Sequence, residues 1–362
     1  MKIVAIVPSY NEEARIGACL KSLASQALPS GATLRVIVVD RAGVDETAEV
    51  ARRTARTLAL PLDVIPDTEG SMSGARRLGV EYAEQYEPSH FLNVDADTNL
   101  PARWVVEAVR AMESQGVSVV AGEGFFETEF WLSVPNVARL YAEHVGDTFF
   151  PASIYQLHRN DPPRFGSVFR RFGRAPSDCA TLLTREAMNL SGKIPVDFDE
   201  DGNIEQGVGW PMMIRLAQKG RRTTSLSHPK YETSARRFVA DANALIDSTT
   251  YRHGVRAFRD VQRSTVERLD HRANELDMNQ LVSYVVRNYV VLPCLLWPQL
   301  IRHNEDLFGT EFAALFAAEV LDARASIDIG LPQAVFRATR AVANRIQEGI
   351  VESFDREAGR GA

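Results

Sequence analysis

Before residue 100 the chain changes repeatedly between two hydrophobic periods, short apolar runs of strand character and longer stretches with apolar residues at helical spacing. Lys2-Ile3-Val4-Ala5-Ile6-Val7-Pro8 is the first apolar run, and Ser9-Tyr10-Asn11-Glu12-Glu13 follows with turn and helix-start chemistry. A helical stretch from Ala14 to Leu23 leads to a second run, Arg35-Val36-Ile37-Val38-Val39-Asp40, and then to a polar turn ending in Asp45-Glu46-Thr47. A helix is expected from Ala48 to Leu58, a shorter strand at Leu62–Ile65, and another helix after Gly70-Ser71-Met72-Ser73-Gly74-Ala75-Arg76-Arg77-Leu78-Gly79. This strand and helix alternation predicts an α/β fold, a mostly parallel sheet flanked by helices, with function at the carboxyl ends of the strands.

The fourth apolar run ends in Phe91-Leu92-Asn93-Val94-Asp95-Ala96-Asp97-Thr98. On an extended segment the period of two turns the Asp95 and Asp97 carboxylates to the same side. Hard divalent cations accept such oxygen ligands and are commonly shared between one or two carboxylates and a phosphate-bearing substrate. The pair therefore suggests Mn2+ or Mg2+ and a diphosphate, against the plainer reading of a strand-end Asp as a turn or cap residue.

These residues resemble a known family, the family 2 glycosyltransferases of GT-A fold. The matching pieces are Val7-Pro8-Ser9-Tyr10-Asn11-Glu12-Glu13, Val38-Val39-Asp40 with Asp45-Glu46-Thr47, Ser73-Gly74-Ala75-Arg76-Arg77-Leu78-Gly79, and Val94-Asp95-Ala96-Asp97-Thr98. Each is common alone; the four in this order and spacing form a specific pattern. The resemblance implies a nucleotide-sugar donor, commonly a uridine diphosphate sugar. It places Pro8, Tyr10, Glu12, Asp40, Arg76 and Asp95 around the nucleotide, with Tyr10 stacking on the base and Asp40 accepting a hydrogen bond from it. Asp95 would contact the ribose or metal, and Asp97 would be the principal metal ligand. His228 is the candidate for completing the metal shell, since some GT-A enzymes carry a histidine after the last core strand.

The chain departs from the family pattern twice. Many members have a second acid after the position of Asp40, followed by a Gly-Ser turn, where this chain reads Asp40-Arg41-Ala42-Gly43-Val44. An arginine there either meets an extra phosphate or lies in solvent. Inverting members also place an acid pair shortly before a helix ending in Arg-Leu, expected here as Pro211–Gly220. That spacing lands on Val208-Gly209, which cannot take a proton. The base is expected instead from the acidic loop holding Asp199, Glu200, Asp201 and Glu205, with Glu205 and Asp201 leading.

Composition changes this picture little. The 362 residues are 45% hydrophobic and 24% charged, ordinary for a globular protein. A net charge of −6 leaves no basic footprint for general nucleic-acid binding. The three cysteines, Cys19, Cys179 and Cys294, show neither disulfide-framework nor zinc spacing, which suggests a reducing, cytoplasmic setting. The opening apolar run is too short for a secretory signal. Leu281–Pro298 is the most apolar stretch, but Arg287, Asn288 and two prolines argue for a buried helix pair joined near Pro293 rather than a membrane span.

Two domains are expected, 1–230 as the nucleotide-sugar-binding and catalytic domain and 231–362 as a mainly helical region. Ser177–Met188 resembles the family's later strand-to-helix passage, which implies that Asp178 faces the site. The stretch from Glu123 to Pro176 holds Trp131, Tyr141, Phe149, Phe150, Tyr155, Arg164, Arg170 and Arg171, suited either to sugar faces or to a core. Arg236-Arg237 could reach a diphosphate, and Arg252, Arg256, Arg259, Arg263 and Arg268 recur along the next segment. The leading expectation is an inverting, metal-dependent glycosyltransferase with an unknown acceptor, a glycan, lipid-linked compound or small molecule. Peripheral membrane contact and a homo-oligomer stay open. The rivals are a GT-A-like nucleotide- or glycan-binding protein without turnover and a sugar nucleotidyltransferase, the latter disfavoured by Pro8-Ser9-Tyr10-Asn11-Glu12 where a Gly-rich phosphate loop belongs.

Overall fold

The computed structural model describes residues 1–41, 43–67, 71–145, 157, 171–172, 179–194, 209–235, 270–271, 273, 282–283 and 285–360. The chain divides into two compact units, one of Met1–Phe125 with Ala175–Ser234, the other of Phe126–Arg174 with Ala235–Ala362. Residues 126–174 therefore belong with the carboxy-terminal unit, an excursion that a linear boundary at 230 does not include.

The first unit is built on one eight-stranded sheet. Its elements are β1 (Lys2–Ser9), α1 (Ile16–Ala24), β2 (Thr33–Arg41), α2 (Thr47–Leu58), β3 (Leu62–Asp67), α3 (Met72–Ala83), β4 (His90–Val94), β5 (Thr98–Asn99), α4 (Trp104–Gln115), β6 (Val119–Phe126), β7 (Ala180–Thr184) and β8 (Thr223–Thr233). The strand order is β3-β2-β1-β4-β7-β6-β8-β5. The pairs β3-β2, β2-β1 and β1-β4 are parallel, while β4-β7, β7-β6 and β8-β5 are antiparallel, so the sheet is mixed beyond β4. β1 and β2 are apolar on both faces because helices cover both sides of the sheet. Ile3, Ala5 and Val7 pack with α1 and α4 residues such as Leu20 and Trp104. Val4 and Ile6 pack with α3 residues Ala75 and Val80 and with Met212 and Leu216. These last two lie on Gly209–Gln218, the helix expected at Pro211–Gly220.

The second unit is helical where described. Val286–Val291 winds as a π-helix and passes directly into the α-helix Leu292–Leu296, so the expected helix pair joined at Pro293 is corrected. Pro293 lies just past the π-to-α junction, and the chain breaks only at Trp297-Pro298. Gln299–His303, Glu305–Phe308, Thr310–Ala325 and Pro332–Arg360 complete this unit. Phe308, Phe316, Val320, Val342, Ile350 and Phe354 are buried. Trp131 is fully buried in edge and tilted contacts with Phe130 and Phe126, which makes it core rather than a sugar platform. Arg171 bridges Asp306 and Glu357 at 2.8 and 2.6 Å. Among the described residues, no helix is long and apolar enough to cross a membrane.

Candidate functional site

The chain moves from β1 out to β2 and β3, then returns to β4 on the other side of β1. In open α/β sheets such a reversal leaves a crevice at the carboxyl ends of the two strands. Tyr10, Asn11 and Glu12 follow β1, and Asp95, Ala96 and Asp97 follow β4. Ile6 pairs with Asn93, the last paired rung between β1 and β4. Pro8 is buried in β1 opposite Val39.

On the β2 side, Ser9 pairs with Asp40 across the sheet, and its hydroxyl donates to Asp40 Oδ1 at 2.9 Å. Burial raises the Asp40 pKa above the ordinary carboxylate value and nearby Asp45 adds to the rise, with the Ser9 hydrogen bond and Arg52 opposing it. Two loops are stitched together here. Asn11 adopts φ 55°, and its Oδ1 accepts from the Val44 N–H at 3.0 Å. The Glu12 N–H donates to Thr47 Oγ1 at 2.8 Å, and the Glu13 N–H to Asp45 Oδ2 at 3.1 Å. A Cβ at Gly43 would stand 2.4 Å from Asn11 Oδ1, so a larger residue at this seam has to displace the Asn11 amide. Glu12 is buried at the entry to α1, and the loop stitching gives the Asp45-Glu46-Thr47 motif a structural task beside its functional one.

On the β4 side, the strand ends at Val94, and Asp95–Asp97 form a turn closed by the Thr98 N–H bonding to the Asp95 carbonyl at 3.0 Å. The expectation that an extended pair turns both carboxylates alike is therefore corrected: the turn gives each its own surroundings. Asp95 accepts from Arg76, a fully buried guanidinium delivered by α3, and from Cys179 Sγ at 3.2 Å. Asp97 Oδ1 accepts from Thr233 Oγ1 at 3.4 Å, and Thr98 Oγ1 donates in turn to Thr233 at 3.0 Å. The thiol of Cys19, buried beneath this turn, has its pKa pushed far upward, first by burial and then by the charges of Asp97 and Asp95.

The structure thus brings Tyr10, Glu12, Asp40, Arg76, Asp95 and Asp97 to the ends of adjacent strands. It does not bring His228 there. His228 is exposed on β8, five residues before the Thr233 that pairs with Thr98, roughly 16 Å along a strand at its usual rise. Thr233 is the β8 residue that meets Asp97. Glu205 and Asp201, with Asp199, Glu200, Asp178 and Arg236-Arg237, lie outside the described residues, as do Phe149, Phe150, Tyr155, Arg164, Arg170 and the recurrent arginines from 252 to 268.

Sequence reasoning did not single out Ser9, Asp67 or Cys179. Asp67 ends β3 with 3% exposure and lies beside Arg41, Oδ2 to Nε 3.7 Å. A strand-final acid after Pro66 was a legible signal for it.

Two carboxylates at a strand-end crevice are hard oxygen donors, which suits a divalent cation that keeps waters and shares a phosphate. Among the described residues no group of three or more His, Cys, Asp or Glu forms a metal cluster.

The model of the family "Glycosyl transferase family 2" matches residues 4–171, which include every strand-end residue of this crevice apart from the β7 and β8 contributions. Residues 4–171 are thus similar to glycosyl transferase family 2. The chain is 29% identical to glycosyltransferase AglE of Haloferax volcanii across 120 residues, 33% of this chain and 38% of that protein. It is 33% identical to a 4,4'-diaponeurosporenoate glycosyltransferase of Staphylococcus aureus across 107 residues, 30% of this chain and 27% of that one. The chain therefore spans well under two thirds of the length of these relatives. Among solved structures, a mannosyltransferase of Pyrobaculum calidifontis in complex with GDP-Man and Mn2+ is 19% identical, covering 95% of this chain and 86% of that chain with a TM-score of 0.48.

Proposed function

We propose that the chain is a metal-dependent, inverting glycosyltransferase that moves a sugar from a nucleoside diphosphate donor, a uridine diphosphate sugar first, to a hydroxyl acceptor. The observation that carries this reading is the convergence of Ser9–Asp40, Arg76–Asp95 and Asp97 on the β1/β4 crevice inside the family 2 match. Asp40 accepts from the base, and Tyr10 and Glu12 line the nucleotide end. Asp97, with Asp95 held by Arg76, is placed to hold Mn2+ or Mg2+, which when bound neutralises charge on the departing diphosphate. The buried Arg76 orients Asp95 and adds positive charge behind it.

In an inverting transfer the acceptor hydroxyl attacks the anomeric carbon opposite the leaving diphosphate, so a carboxylate must take the hydroxyl proton. Glu205, then Asp201, is the proposed base, from the acidic segment that precedes Gly209–Gln218 in sequence. Manganese-dependent release of nucleoside diphosphate from a panel of nucleotide-sugars tests the reading. Glu205→Gln or Asp201→Asn should lower turnover while leaving donor affinity largely intact, because the base acts on the acceptor in the transition state. Turnover undiminished in every single neutralisation of the loop acids would place the base elsewhere. A second reading, a nucleotide- or glycan-binding protein without turnover, draws support from Val208-Gly209 at the usual acid spacing and predicts donor binding with no release.

A further inference from the structure

The turn after β4 is met from β8 by two hydroxyls in series. Thr98 and Thr233 face each other across the antiparallel β5-β8 rung, and Thr98 Oγ1 donates to Thr233 Oγ1 at 3.0 Å. A threonine hydroxyl has one proton and two lone pairs. With the Thr98 proton received on a lone pair, the Thr233 proton is directed onward to Asp97 Oδ1, at 3.4 Å. Hydrogen bonds at a site that awaits its ligand are often long and tighten in the complex. The root of this relay is firm: Thr98 is fully buried, and Asn99 and Glu232 pair on the next rung. Branching at Cβ restricts χ1 of both threonines, so each hydroxyl is aimed with little rotamer freedom left to lose. The two carboxylates of the turn are thus held by different means. Asp95 takes a buried guanidinium from α3, and Asp97 takes a neutral hydroxyl from β8, which sets its direction while adding no charge of its own.

We propose that Thr233 is a positioning residue of the metal site, orienting the Asp97 carboxylate toward the divalent cation, with Thr98 aiming the Thr233 hydroxyl. This rests on the reading of Asp97 as the metal ligand of a nucleoside diphosphate site. A carboxylate that ligates a metal is itself hydrogen-bonded by outer partners, which fix its orientation, and loss of such a partner weakens metal binding. Thr233 comes from a strand that lies more than a hundred residues beyond Asp97 in sequence, so the cation's affinity depends on how the last strand of the sheet is seated.

The test is titration of Mn2+ into the full chain with saturating UDP or GDP, read from the electron paramagnetic resonance signal of the free ion. Calorimetry of the same nucleotides without metal, and thermal melting, are the controls. Thr233→Val keeps the branched shape and removes the hydroxyl, so Mn2+ affinity should fall by about tenfold to a hundredfold while metal-free nucleotide affinity stays as in wild type. Thr233→Ser restores the donor and should bind Mn2+ nearly as wild type does. Thr98→Val should weaken Mn2+ binding by less than Thr233→Val. Thr233→Ala, which also lacks the hydroxyl, carries the test if the valine variant does not fold. Undiminished Mn2+ affinity in Thr233→Val would overturn the proposal, as would a serine variant as weak as the valine one, which would make the contact one of packing. An equal fall in metal-free nucleotide affinity would overturn it too, by placing Thr233 in the nucleotide pocket. If Thr233→Val loses the metal and Thr98→Val does not, the hydroxyl ligates the cation directly and the positioning role is wrong. Asp97→Asn that binds Mn2+ like wild type would remove Asp97 from the metal and the proposal with it. A wild type that binds neither nucleotide with Mn2+ would sink the donor-site reading itself.

Discussion

Asp40 is kept partly buried against Ser9 with Asp45 close by, and burial holds its folded-state pKa above the ordinary carboxylate value. The protonated form is thus favoured by folding. Its contribution is fully present below the unfolded-state pKa, about 3.9, and is lost as the pH rises through the raised folded value. At neutral pH the charged carboxylate costs stability, as residues kept for binding often do. Asp40→Asn should raise the melting temperature at pH 7, with the gain vanishing below about pH 4, while nucleotide affinity falls. Melting curves across that window check the sign: a variant less stable at pH 7 would contradict this account of Asp40. Asp40 was legible from the sequence because it ends an apolar run. The Ser9 hydroxyl that orients it was not, since register across the sheet decides the partner and one sequence does not display register.

At the scale of elements, Arg76 reaches Asp95 because α3 lies unusually close to the sheet. A Cβ at Gly79 would stand 2.5 Å from Ile6 Cγ2 and 2.9 Å from Val39 Cγ2, so the helix can approach β1 and β2 only with glycine at that position. Gly79→Ala should destabilise the fold by about 1–3 kcal/mol through overpacking. It should also weaken metal-dependent nucleotide binding, since displacing α3 moves Arg76 away from Asp95. Urea denaturation together with calorimetry separates the two effects, and an unaltered midpoint would show that α3 absorbs the methyl without shifting. Helix positions such as Thr47–Leu58 and strands such as Thr33–Arg41 followed the hydrophobic period closely. The Asp95–Asp97 geometry did not, because a single backbone bond from Thr98 turns an apparent strand end into a turn. Which part of β8 meets the turn was not legible either: β8 runs eleven residues, and its final rungs, Glu232 and Thr233, pair with β5.

At the scale of the whole molecule, the sheet of the first unit assembles its crevice from segments far apart in sequence, with Thr233 and Cys179 closing on the turn after β4. The alternation before residue 100 announced the α/β architecture, since each strand and helix there carries its own apolar period. The split of the chain at 126–174 was not announced, since its buried aromatics Phe130 and Trp131 read equally well as ligand platforms or as core.

The central claim is that this crevice binds a nucleoside diphosphate through a divalent ion held at Asp97. Calorimetric titration of uridine diphosphate and guanosine diphosphate, with and without Mn2+, against wild type and Asp97→Asn tests it most directly. The account predicts metal-dependent binding by wild type and a sharp loss of that dependence in the variant. Equal affinity for both proteins, whether or not manganese is present, would contradict it.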